Sequence, residues 1–177
     1  MARRLFTFGM TAAAMLLAYG AQAQDGSCKP VFDAITRMVK TPNHQYITQS
    51  SPDPHEKARS TEIIFTGRKT YLRVDGQWQT SKTTAEQTLK LDEENRKNSN
   101  ATCRLLRDES VDGVSAGVYS LHSESDVGNS DGQLWVSKAT GMPLRQTIDV
   151  MTDPASGKTH VETRFVYSDI AAPAGIK

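Results

Sequence analysis

From Asp131 to Tyr167 one short pattern recurs: a run in which apolar and polar residues alternate, followed by a turn. Asp131-Gly132-Gln133-Leu134-Trp135-Val136-Ser137 is followed by Lys138-Ala139-Thr140-Gly141, and Pro143 to Val150 by Asp153-Pro154-Ala155-Ser156-Gly157. Thr159 to Tyr167 completes the set. Alternation with a period of two places every second side chain on one face, and Gly and Pro end each run. The stretch therefore predicts an antiparallel meander with one buried face.

Upstream segments extend the pattern. Asn43–Ser50, Thr61–Thr66, Lys69–Val74, Gln77–Thr80, Cys103–Glu109 and Val114–Ser123 all read as strands. Asp75-Gly76 is a two-residue hairpin turn, and Asp112-Gly113 is a turn. Ser51–His55, Lys97–Asn100 and Ser125–Asn129 read as loops. Two segments change period. In Pro30–Lys40, Val31, Ile35, Met38 and Val39 form an apolar helical stripe, opened by Pro30 and ended at Thr41-Pro42. Thr83–Asn98 carries only Ala85, Leu89 and Leu91 among polar residues, as a surface helix would.

About eight or nine antiparallel strands must curl to hide one face and protect their edges. The front helix has no other layer in which to bury its stripe. The expected fold class is mainly β (α+β): a strongly curved antiparallel sheet or incomplete β-barrel. An N-terminal helix lies in its concavity, and one polar helix is inserted.

The first residues stand apart. Arg3 and Arg4 precede an apolar run within Leu5–Leu17, and Ala21-Gln22-Ala23 has the small residues of a cleavage site. This reads as a signal peptide, residues 1–23, cut after Ala23. The run is shorter than the roughly 20 apolar residues needed for a membrane span. Asp25-Gly26-Ser27 before Cys28 lacks the apolar residue of a lipobox. A soluble periplasmic protein is expected, with one domain over 24–170 and a loosely held tail at 171–177.

The two cysteines, Cys28 and Cys103, both lie in the exported part, and an even count in an oxidising compartment reads as one disulfide. The whole chain has a formal net charge of +1, and the expected signal removes two arginines. Such a balance gives no electrostatic reason for a nucleic-acid or anionic-membrane partner.

The segment Trp135-Val136-Ser137-Lys138-Ala139-Thr140-Gly141-Met142-Pro143-Leu144-Arg145 resembles the strand, Thr-Gly turn and Pro-Leu of the LolA-like superfamily. These are periplasmic lipoprotein and lipid carriers, with LolA/LolB, LppX/LprG and RseB-like branches. The Tyr71–Trp78 hairpin, the closing Phe165–Ile170 and the helix after the signal are similar to the same plan. The resemblance implies a half-barrel around an apolar cavity covered by helices. It also implies a lipid-like or lipoprotein ligand in the concave face. Many strand positions here are Thr, Ser, Gln or Arg, which makes such a lining thin.

Ile64, Leu72, Val74, Leu144, Ile148, Val150, Val161 and Phe165 either line a modest cavity or fill the core under the helix. Trp78 and Trp135, with Tyr71 or Phe65, stand either at the rim of the core or at the mouth of a pocket. The ligand-binding candidates are thus Phe65, Tyr71, Leu72, Trp78, Trp135, Leu144, Ile148 and Phe165. His44, His55, His122 and His160 have no metal-ligand spacing, and no nucleophile, zinc or phosphate-loop motif is present. No enzyme, metal or cofactor is expected. Two functions remain open: a carrier of a lipid-like or lipoprotein ligand, or an envelope protein-interaction or sensor module with a filled core.

Overall fold

The computed structural model describes residues 28–53, 55–125, 128–151, 157–174 and 176. The expected signal peptide and most of the turn at 153–157 lie outside the described residues.

Eleven elements follow in chain order. Helix α1 is Lys29–Lys40; strands β1 to β4 are Asn43–Ser50, Arg59–Phe65, Thr70–Val74 and Gln77–Thr80. Helix α2 is Ala85–Lys97, and strands β5 to β9 are Ser99–Val111, Val114–Ser125, Gly128–Ser137, Pro143–Met151 and Thr159–Val166. All nine strands form one antiparallel sheet in the order β4-β3-β2-β1-β9-β8-β7-β6-β5. The sheet is curved and does not close. Its edges are β4 and β5, and the chain passes from one to the other through α2. The first and last strands, β1 and β9, pair at its centre.

The hairpin turns have the expected chemistry. Asp75 and Gly76 sit at φ 49° and 79°, and Asp112 and Gly113 at 51° and 81°. Positive φ at both central residues makes type I′ turns, whose twist matches that of the strands they join.

Two loop readings are corrected. Ser99 and Asn100 already belong to β5, paired with Ser125 and Glu124. Gly128 and Asn129 likewise open β7, paired with Ser125 and Glu124 on one side, while Asn129 meets Met151 on the other. Ser, Asn and Gly are poor strand formers in isolation. Ladder partners on neighbouring strands override that preference.

Helix α1 lies in the concavity. Val31 and Ala34 are completely buried against Leu134 and Val136, with Phe32, Ile35, Tyr119 and Leu121 around them. Burying one Val side chain contributes about 1.5–3 kcal/mol. The Cys28–Cys103 disulfide fastens the start of α1 to β5 and closes 75 residues of chain. Helix α2 has no buried residue and starts at a capping box. The Thr84 hydroxyl accepts from the Gln87 main-chain N–H at 3.2 Å, and the Gln87 side-chain Oε1 accepts from the Thr84 main-chain N–H at 2.8 Å. It meets α1 through Arg96, whose guanidinium lies 4.4 Å from the Phe32 ring centroid.

Candidate functional site: an apolar cavity beneath two helices

Register assigns each strand residue to a face, because directly paired residues point the same way and neighbours along a strand point oppositely. Gln45 pairs with Ile63 and with Phe165, and Ile63 with Leu72. These residues share the inner face, towards α1. Their sequence neighbours His44, Ile64, Tyr71 and Arg164 share the outer face.

The inner face is filled at one end and hollow at the other. Under the first turns of α1, the disulfide, Val31, Ala34, Leu134 and Val136 form a packed core. Beyond the last turn of α1 a cavity of about 360 Å³ opens, within the roughly 300–1,000 Å³ typical of small-ligand pockets. Ile63, Phe65, Thr70 and Leu72 form its floor, and Met38 and Val39 of α1 form one side. Asn43 and Gln45 of β1 form the back wall. Ser81 and Thr83, with Ala85 and Thr88 of α2, form the other side.

The polar members of the back wall are tied up. Asn43, 1% exposed, donates its amide to the carbonyls of Met38 at 2.9 Å and Thr41 at 2.7 Å. Its own oxygen accepts from the Gln45 amide at 2.9 Å, and that amide also reaches the Met38 sulfur at 3.4 Å. Satisfied groups of this kind carry little further demand for water. The cavity is mainly apolar, although these two amides and the hydroxyls of Thr70, Ser81, Thr83 and Thr88 line it.

The sequence candidates divide between the faces. Phe65 and Leu72 line the cavity. Phe165 and Ile148 are on the inner face outside it; Phe165 is buried opposite Gln45, and Ile148 pairs with Gly132 and Val161. Tyr71, Trp78 and Trp135 are on the outer face, one residue out of phase with Leu72, Gln79 and Leu134. Tyr71 and Trp135 are buried there, and Trp78 is half-buried. Leu144 sits where the β7–β8 register shifts between Trp135 and Val136, and packs with Ala116, Val118 and Trp135. Ile64 is also on the outer face, opposite Tyr71. The cavity residues not named as ligand-binding candidates from sequence include Met38, Val39, Asn43, Gln45 and Ile63, and the α2 wall. Inward alternation with Phe65 was the available signal for Ile63.

The outer face carries ion pairs instead of a cavity lining. Glu62 meets His44 at 2.8 Å and Arg73 at 2.6 Å. Partial burial opposes ionisation of Glu62, but the hydrogen bonds from Arg73 and His44 outweigh it and hold the carboxyl below its ordinary range. Burial pushes the Tyr167 hydroxyl well above the usual phenol range, and it donates to the Pro143 carbonyl at 2.7 Å. Among the described residues no group of His, Cys, Asp or Glu is arranged to hold a metal ion, and no helix is long and apolar enough to cross a membrane.

Fold and site together define an open half-barrel with a helix-covered apolar cavity. Several solved structures are similar to the chain in outline. The LppX lipoprotein of Mycobacterium tuberculosis matches 81% of this chain and 96% of its own, with 7% identity and a TM-score of 0.47. MucB, in its complex with MucA from Pseudomonas aeruginosa, matches 82% of this chain and 58% of its own, with 16% identity and a TM-score of 0.39. A LolA superfamily protein from Nitrosomonas europaea matches 79% and 91%, with 11% identity and a TM-score of 0.29. Such values describe a likeness in general outline. No family profile and no curated protein sequence matches the chain.

Proposed function

We propose that the protein is a periplasmic carrier that binds one lipid-like chain, free or borne by a lipoprotein, in the cavity between α1, α2 and β1–β3. The observation that supports this reading is the mainly apolar pocket of about 360 Å³, in which the Asn43 and Gln45 side-chain amides are hydrogen-bonded to protein. Each acyl methylene moved from water into it contributes about 0.8 kcal/mol. A mainly apolar lining favours an apolar occupant over a sugar or nucleotide. The role is one of binding rather than catalysis. The disulfide supports residence in an oxidising compartment.

A fluorescent fatty-acyl probe tests it. Delipidated protein is expected to bind the probe saturably, and Leu72→Asp, which puts a charge on the cavity floor, to weaken binding by more than about tenfold. Absence of probe binding by the unsubstituted protein would refute the carrier reading.

A second reading rests on the sheet edge. Strand β5 offers one long unpaired side, with Leu105 and Leu106 54% and 36% exposed and a bulge between Leu105 and Arg107. Such an edge can add a strand from an envelope protein. Recovery of one crosslinked partner through β5, together with no acyl binding, would favour this interaction role.

A further inference from the structure

On the outer face, register brings Tyr46, Arg164, Arg145 and Trp135 into one row across β1, β9, β8 and β7. Arg164 and Arg145 stand directly opposite each other. Like charges so placed destabilise a sheet. Each guanidinium lies over an aromatic ring, Arg164 at 4.6 Å from the Tyr46 centroid and Arg145 at 5.1 Å from that of Trp135. Arg145 has a carboxylate partner, Glu162, at 2.7 Å. Among the described residues Arg164 has no ion pair, so the two arginines keep an unbalanced positive charge.

Two donors beside them are also unused. The Nε of Arg145 and the Nε1 of Trp135 are buried without a hydrogen-bond partner among the described residues, in a tryptophan that is 5% exposed. A buried donor left unpaired is costly, and protein interiors seldom tolerate one without reason. An anion seated between the guanidiniums would relieve the like-charge contact and supply acceptors to both donors.

We propose that Arg145, Arg164 and the Trp135 indole form a site for a tetrahedral, phosphate-type oxyanion. Such an anion offers acceptors in several directions, which suits two guanidiniums on neighbouring strands and an indole beneath one of them. A carboxylate, planar with two oxygens, is served by a single arginine fork. Arg145 lies over the indole ring, whose N–H is a buried donor without a partner among the described residues. The site lies across the sheet from the cavity, so the headgroup of a cavity-bound lipid does not occupy it. Its ligand is a free phosphate group or the headgroup of a lipid in a membrane surface.

Two-dimensional NMR of the whole protein tests this, following the Trp135 indole N–H, assigned with Trp78→Phe. Inorganic phosphate is titrated at constant ionic strength, and phosphatidylglycerol vesicles separately. A saturable shift with phosphate is expected, with affinity at least about tenfold lower in Arg164→Gln, the loss expected for one charge-assisted contact. Arg73→Gln, which removes a guanidinium paired with Glu62, should bind as the unsubstituted protein does. A response to vesicles alone would assign the phosphate to a lipid headgroup. No response to either ligand, an equal response to sodium chloride, or unchanged affinity in Arg164→Gln would overturn the site.

Discussion

The side chain of Asn43 donates to the main-chain carbonyl of Met38 at 2.9 Å, joining the last turn of α1 to the first residue of the central strand β1. The same amide reaches the Thr41 carbonyl, so one buried side chain satisfies two acceptors at a helix end. It also holds Gln45 in place at the cavity wall.

Asn43→Ala is therefore expected to cost about 1–3 kcal/mol, the penalty for leaving buried polar groups unpaired. Equilibrium denaturation in urea measures it. A change within about 0.5 kcal/mol, as for an ordinary surface substitution, would show that the amide does not hold the helix end.

The disulfide carries a second expectation. Closing 75 residues of chain stabilises the fold by roughly 4 kcal/mol on the chain-entropy account. Cys28→Ser should lower the calorimetric Tm clearly and speed hydrogen exchange in α1. Reductant should reproduce the effect in the unsubstituted protein and leave the variant unchanged. Equal melting of the two proteins without reductant would contradict this.

Gly132 is a steric rather than a conformational requirement. A Cβ there would lie 2.3 Å from the Thr147 carbonyl oxygen on the neighbouring strand. Backbone cannot give way as a flexible side chain can, so Gly132→Ala should destabilise by at least about 1–3 kcal/mol. The thermal melt of the variant checks it, and Gly113→Ala is not a fair control because that residue has positive φ.

The outer-face pair His122–Asp131 sets a pH dependence. The Asp131 carboxylate, 2.7 Å from the ring, and then Glu124 raise the His122 pKa above 6.5. Hydrogen bonds from His122 and then Lys158 lower the Asp131 pKa below 3.8. The His122 contribution is complete below 6.5 and fades as pH rises through its raised value. The Asp131 contribution is present above 3.8 and fades as pH falls through its lowered value. The pair thus stabilises most between those two ordinary values. NMR titration should place the His122 midpoint above 6.5, and Asp131→Asn should move it down; an unmoved midpoint would mean that the pair does not form in solution.

The boundaries of β1 and β4 follow from the sequence pattern at Asn43–Ser50 and Gln77–Thr80 without change. Helix α2 was legible as polar, but its Thr84–Gln87 capping box fixes its start two residues later than Thr83. The early halves of β5 and β7 were not legible, because Ser, Asn and Gly form strands only when partners are already beside them. Phe65 and Leu72 of the cavity could be named from alternation, whereas Asn43 and Gln45 look like strand polarity until their hydrogen bonds are seen.

By itself the sequence determined the period of each segment, the turn chemistry at Asp75-Gly76 and Asp112-Gly113, and a pair of cysteines with no other partner of their kind. Those properties are local, set by side-chain alternation and by which residues accept positive φ. Only the tertiary structure decided the phase of each strand, which sends Leu72 inward and Tyr71 and Trp78 outward. It also decided where the concavity is filled and where it is hollow. α1 fills the β5–β7 end with Val31 and Ala34, and stops at Lys40 before it can fill the end over β1–β3. Phase and filling depend on contacts between residues far apart in the chain, and a period-two pattern is the same whichever face is buried.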